Sequence, residues 1–162
     1  MKVWYYCINK GAIIFLFCFL VLSSYGQLSE KNYFSFTGKK DIEVKSVTTD
    51  DLGYLWLGIS TGIFRFDGKQ AIKPLDSTGI RINNATSLFV DSNKKLWIGT
   101  NDGKVFSFFN SKIDSLIFSD EGNGKRITSF YEALGNLCFS TYGNGIFVLK
   151  DKSLKHYNNN MG

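Results

Sequence analysis

The chain has 162 residues, 19 Lys and Arg against 14 Asp and Glu, a single His and three Cys. Its formal charge of +5 is spread without a like-charged run, whereas a nucleic-acid binder carries a clustered basic stripe, so no nucleic-acid partner is expected. With one His there is no metal cluster, and nothing points to a cofactor.

Residues 1–26 read as a targeting segment. Lys2 and Lys10 give a positive start, Gly11 to Leu22 is an uncharged apolar run, and Ser23-Ser24-Tyr25-Gly26 supplies small residues for cleavage between Gly26 and Gln27. The run is short for a spanning helix, which needs about 20 residues, so a cleaved secretory signal is expected rather than an anchor. Either reading sends the remainder across a membrane, to the periplasm or the outer face of the cytoplasmic membrane. Without Lys2 and Lys10 the remainder holds 17 basic and 14 acidic residues, a net charge of +3, and only Cys138 of the cysteines. No internal disulfide can form, and Cys138 is expected to be buried.

From residue 27 onward the chain breaks into short pieces of period two separated by Asn, Asp and Gly, the pattern of strands and hairpins. Residues 33–37 form an isolated candidate strand. Three groups of four follow: 43–49, 54–59, 63–67 and 70–75; then 85–91, 95–100, 104–109 and 112–118; then 127–132, 136–141, 145–150 and 153–157. The groups define repeats at about 43–75, 84–118 and 126–157. Leu55-Trp56-Leu57-Gly58 recurs as Leu96-Trp97-Ile98-Gly99 and, more weakly, as Leu137-Cys138-Phe139-Ser140, each copy 41 residues after the last. Asp50, Asp91 and Glu132 share the spacing. Gly62 and Gly103 keep it, while Gly145 comes one residue late, read as an insertion in Tyr142-Gly143-Asn144. Gly53 and Gly135 share a turn position at which Lys94 stands in the middle copy.

Four antiparallel strands in about 40 residues make one blade of a β-propeller. Leu96 and Ile98 point to one face and Trp97 and Gly99 to the other, so both faces are apolar, as a sheet held between two others requires. The glycine beside each Trp leaves room for the next sheet. The fold class is therefore all-β, with residues 27–162 a partial propeller of three blades and one N-terminal strand. Three blades cannot close a ring of four to eight, so the chain is expected to be an N-terminal fragment of a longer protein.

Asp50-Asp51-Leu52-Gly53-Tyr54-Leu55-Trp56-Leu57-Gly58, followed by Gly62-Ile63-Phe64-Arg65-Phe66-Asp67-Gly68, resembles the two-component regulator propeller repeat, in outline D-x-x-G-x-[LI]-W-[IVL]-G-T, a turn, then G-[LI] and an aromatic strand. The second copy matches through Asp91, Trp97, Gly99, Thr100 and Gly103. The third departs at Glu132, Cys138 and Ser140 but keeps Thr141, Gly145 and Phe147. The resemblance spans about residues 33–157. It implies the periplasmic sensor of a membrane-bound sensor or hybrid histidine kinase, whose partners are further blades, downstream signalling domains and a small molecule of the carbohydrate-breakdown class. Two other readings remain: an exported non-catalytic propeller that binds or scaffolds, and a fragment of a propeller lyase or glycosidase.

The recurring acids are read as turn caps and the tryptophans as blade packing, so no catalytic residue is assigned. His156 is read as a solvent-facing strand residue. A ligand would use non-repeating loop residues near the ring axis: Arg81 in the link 76–84, whose guanidinium can grip a carboxylate, and Tyr142 and Asn144.

Overall fold

The computed structural model describes residues 42–116 and 124–158. The signal segment 1–26 and the candidate strand 33–37 lie outside the described residues. Among the described residues, twelve strands form three four-stranded antiparallel sheets, each in simple sequence order. Blade 1 holds β1 (Val44–Thr49), β2 (Leu55–Ile59), β3 (Gly62–Phe66) and β4 (Ala71–Ile72). Blade 2 holds β5 (Ala85–Val90), β6 (Leu96–Thr100), β7 (Val105–Phe109) and β8 (Lys112–Leu116). Blade 3 holds β9 (Ile127–Ala133), β10 (Asn136–Thr141), β11 (Ile146–Lys150) and β12 (Ser153–Tyr157). The described residues contain no α-helix, and the ring is not closed.

One strand is shorter than its sequence suggests. The pattern at 70–75 predicts a full strand, but β4 stops at Ile72. Pro74 has no amide to donate to a ladder, and the chain then enters a 3-10 turn at Asp76–Thr78. The Thr78 hydroxyl donates to the Leu75 carbonyl at 2.6 Å. Leu75 and Ile82 are buried at the two ends of this link and pin it to the core.

The blades stack through their apolar faces. Trp56 and Ile63 of blade 1 pack with Ala85, Leu88, Leu96 and Ile98 of blade 2. Trp97 and Val105 on the other face of blade 2 pack with Ile127, Phe130, Leu137, Phe139 and Phe147 of blade 3. β6 is buried at all five positions because a neighbour covers each of its faces. Burying one such large side chain contributes about 1.5–3 kcal/mol.

Two glycines set the spacing. A Cβ on Gly58 would lie 3.2 Å from the Ala85 Cβ, and one on Gly99 would lie 2.5 Å from the Ile127 Cγ2. The absent side chain is what lets the next blade's first strand approach. The first strands are also joined directly: the Leu88 amide donates to the Ser46 hydroxyl at 2.9 Å, and the Thr86 hydroxyl donates to the Ile127 carbonyl at 2.6 Å.

Antiparallel alternation places the loops at two ends. The β1–β2, β5–β6 and β9–β10 turns share one end, together with the β3–β4 turn and its counterparts. The starts of β1, β5 and β9, the β2–β3 turns and the links between blades share the other.

Candidate functional site

At the first end, Asp50 and Asp91 do the same work. Asp50 Oδ1 accepts from the Leu52 and Tyr54 amides, both at 3.0 Å, and its Oδ2 accepts from the Trp56 indole N–H at 2.9 Å. Asp91 Oδ1 accepts from the Asn93 and Lys95 amides at 2.9 Å, and its Oδ2 from the Trp97 indole at 2.8 Å. The carboxylate thus caps the turn and satisfies the indole donor, which would otherwise be orphaned beside the core. The cap is legible from turn chemistry; the indole bond is not, because it joins residues six apart through a hairpin.

Glu132 is not the third member of this set. Leu137 faces Glu132 across β9–β10, as Leu96 faces Val90 in blade 2. The structural counterpart of Asp91 is Ala133. The β9–β10 hairpin is one residue tighter, with Leu134 at φ 50° and Gly135 at φ 74° forming a two-residue turn of the I′ kind. Gly135 is therefore in a different turn from Gly53 (φ 82°) and Lys94 (φ 65°). Blade 3 has Cys138 in place of Trp, so no indole needs an acceptor.

Glu132 instead reaches across to blade 2. The Ser92 amide donates to its Oε2 at 2.7 Å and the Ser92 hydroxyl to its Oε1 at 2.6 Å. These donors hold the Glu132 carboxyl below its usual range. Blades 1 and 2 have a parallel clasp, Lys94 Nζ on Asp51 Oδ2 at 2.5 Å, which lowers the Asp51 pKa and raises that of Lys94. Both clasps are tertiary and carry no local sequence signal. Between blades 2 and 3 at this end lies a cleft of about 570 Å³, with Trp97, Asp114, Leu137 and Lys152 among its walls.

At the other end the predicted ligand residues separate. The turn 142–144 is not an insertion relative to the middle copy: Thr141 bonds to Gly145 as Thr100 bonds to Lys104, with three residues between in each. The odd member is blade 1, where Ile59 pairs with Gly62 across two residues. Tyr142 is exposed, and Arg126 lies 5.1 Å over its ring. Arg126 also lines a cleft of about 400 Å³ with Lys45, Thr86 and Thr128, at the starts of the innermost strands. The Asn144 carbonyl is 2.7 Å from His156 Nε2, and the His156 ring stacks on Phe147 at 4.2 Å. His156 is thus half-buried and held on the face towards blade 2, because its strand neighbour Phe147 belongs to the interblade core; it is not a plain solvent-facing residue. Gly145, at φ 76°, lies against the Tyr157 carbonyl, where a Cβ would collide.

Arg81 lies in a third cleft, of about 560 Å³, lined also by Thr61, Lys73, Asp76, Gly79 and Asn83. Tyr142 and Asn144 are not among the residues that line it. Cys138 is half-buried rather than buried, since it points to the face of blade 3 that no described residue covers. Its neighbour Ser140 shares hydroxyl contacts with Ser129 at 2.7 Å and Thr128 at 2.6 Å. Among the described residues no group of three or more His, Cys, Asp or Glu is placed to hold a metal, and no helix is long and apolar enough to cross a membrane.

Residues 79–102 match the family model described as Two component regulator propeller. The match covers the end of the link with Arg81, strand β5, the Asp91 turn and the Trp97-Ile98-Gly99 strand. Among solved structures, the chain is similar to the extracellular domain of a putative hybrid two-component system from B. thetaiotaomicron, with a TM-score of 0.63 and 22% identity over 78% of this chain and 18% of that one. A second, the extracellular domain of a putative one-component system from the same organism, gives a TM-score of 0.60 and 21% identity over 74% of this chain and 17% of that one. The chain thus spans less than a fifth of the length of either solved structure. No curated protein sequence matches it significantly.

Proposed function

We propose that this chain is part of the ligand-sensing propeller of an exported or membrane-bound two-component signalling receptor. The observation that carries the reading is the Asp–Trp–Gly blade unit, seen at Asp50-Trp56-Gly58 and Asp91-Trp97-Gly99, of which the second falls inside the matched repeat. The fold it shares with extracellular domains of such systems supports export and a receptor role.

The ring needs further blades beyond the three described, supplied by the rest of a longer chain or by other copies. A small-molecule ligand, a carbohydrate fragment being one candidate, would use the loops at the end that holds Arg81, Tyr142 and Asn144. A non-catalytic role is supported by the recurring carboxylates, which are committed to turn amides and indoles and so cannot serve as an acid–base pair. Reading the coding sequence beyond codon 162 tests the proposal. Further repeats, a membrane span and kinase motifs support it. Further repeats that end without a span favour the exported scaffold, and an immediate stop codon sinks the receptor reading.

A further inference from the structure

We propose that the cleft under the link between blades 1 and 2 is a binding site for a small monoanionic carboxylate, held between Arg81 and Lys73. This goes beyond the signalling reading and does not depend on it, since a scaffold propeller could carry the same site.

Three observations support it. First, Arg81 and Lys73 line the same cleft of about 560 Å³ from opposite ends of the link, and neither forms a salt bridge among the described residues. Two cations without one that border a common cavity attract an anion. A guanidinium presents a planar fork that matches a carboxylate, while an ammonium adds a point charge.

Second, the link is fixed at its base. Leu75 and Ile82 are buried, Thr78 bonds back to Leu75, and Lys73 Nζ sits 5.1 Å from the Phe64 ring centroid. Both cations therefore project from an anchored segment, which lowers the ordering cost of binding. Third, Asp76 lines the same cleft, so the lining carries two positive charges and one negative. A single negative charge is the complement, and a dianion would meet Asp76 with like-charge repulsion.

The test is calorimetric titration of the full chain with lactate, and separately with inorganic phosphate, at low ionic strength. Lactate should bind with Kd on the order of 1 mM, as a small ligand held by two exposed cations would, and the affinity should fall as salt is added. Arg81→Gln and Lys73→Gln should each weaken it about tenfold. Both side chains are exposed, so neither change disturbs the core, and an unchanged circular dichroism spectrum verifies that. Arg126→Gln, at the neighbouring cleft, should leave the affinity unchanged. Absence of lactate binding, binding of phosphate alone, or equal weakening by Arg126→Gln overturns the proposal.

Discussion

Strands β6 and β10 occupy the same place in adjacent sheets, yet β6 is buried at all five residues and β10 only at every second one. The inward set is shared: Leu96 and Ile98 in one, Leu137 and Phe139 in the other, each facing the preceding blade. The difference lies on the far face. There Trp97 and Gly99 receive Ile127 and Phe130 of blade 3, whereas no described residue of another blade covers Cys138 and Ser140. The turn changes with it, Asp91 giving way to Ala133. Trp, its carboxylate partner and its glycine are thus one unit that is kept or lost together: Trp fills the gap between blades, Asp satisfies the indole, and Gly sets the distance.

The comparison can be broken most severely at Trp97. Trp97→Ala should cost about 3–5 kcal/mol by opening a cavity between blades, whereas Cys138→Ala, on the uncovered face, should leave the urea midpoint almost where it was. An equal shift for both would show that the two far faces are equivalent. Next comes Gly99→Ala, whose new methyl would push on Ile127 and should cost about 1–3 kcal/mol. Ser140→Ala, removing a hydroxyl from an open face, should cost less in the same melt.

Asp91→Ala should follow, at about 1–3 kcal/mol, because the indole donor and two turn amides lose their acceptor. Repeating it in a Trp97→Phe background isolates the indole bond. The coupling should be about 0.5–3 kcal/mol, and strictly additive costs would mean that Asp91 acts on the turn alone.

The smallest effect belongs to the clasp across the same turns. Glu132 has its pKa lowered from the ordinary 4.5 by the Ser92 hydroxyl and amide. Its contribution is therefore complete above about pH 4.5 and is lost as pH falls through the lower folded value. Glu132→Gln should flatten the acid side of the stability curve slightly and leave neutral pH nearly unchanged. A wild-type curve equally flat between pH 3 and 5, roughly the window of carboxylate titration, would show the clasp to be inert.

What the sequence by itself determined was whatever repeats locally. Among the described residues, period-two apolar alternation, turn residues and the Trp-Gly spacing mark the twelve strands, the three blades and the sense in which each face points. Those features follow from strand geometry and turn chemistry, which act over a few residues. Where they failed, the failure was also informative: β4 was overextended because Pro74 and the 3-10 turn compete with the ladder, and the 41-residue spacing carried Glu132 into the wrong register because a tighter hairpin moved Ala133 into that place. The length difference in the second turns reads from spacing as an insertion in blade 3 but lies in blade 1, since only pairing across the strands shows which residues face each other.

Tertiary structure alone decided the rest. It brought Asp91 to an indole, Glu132 to Ser92, Lys94 to Asp51, and His156 onto Phe147, and it gathered Arg81 and Lys73 around one cleft while keeping Tyr142 and Asn144 elsewhere. The Glu132–Ser92 and Lys94–Asp51 contacts depend on how neighbouring sheets pack, and the indole and His156 contacts on pairing across strands; local patterning holds no record of either.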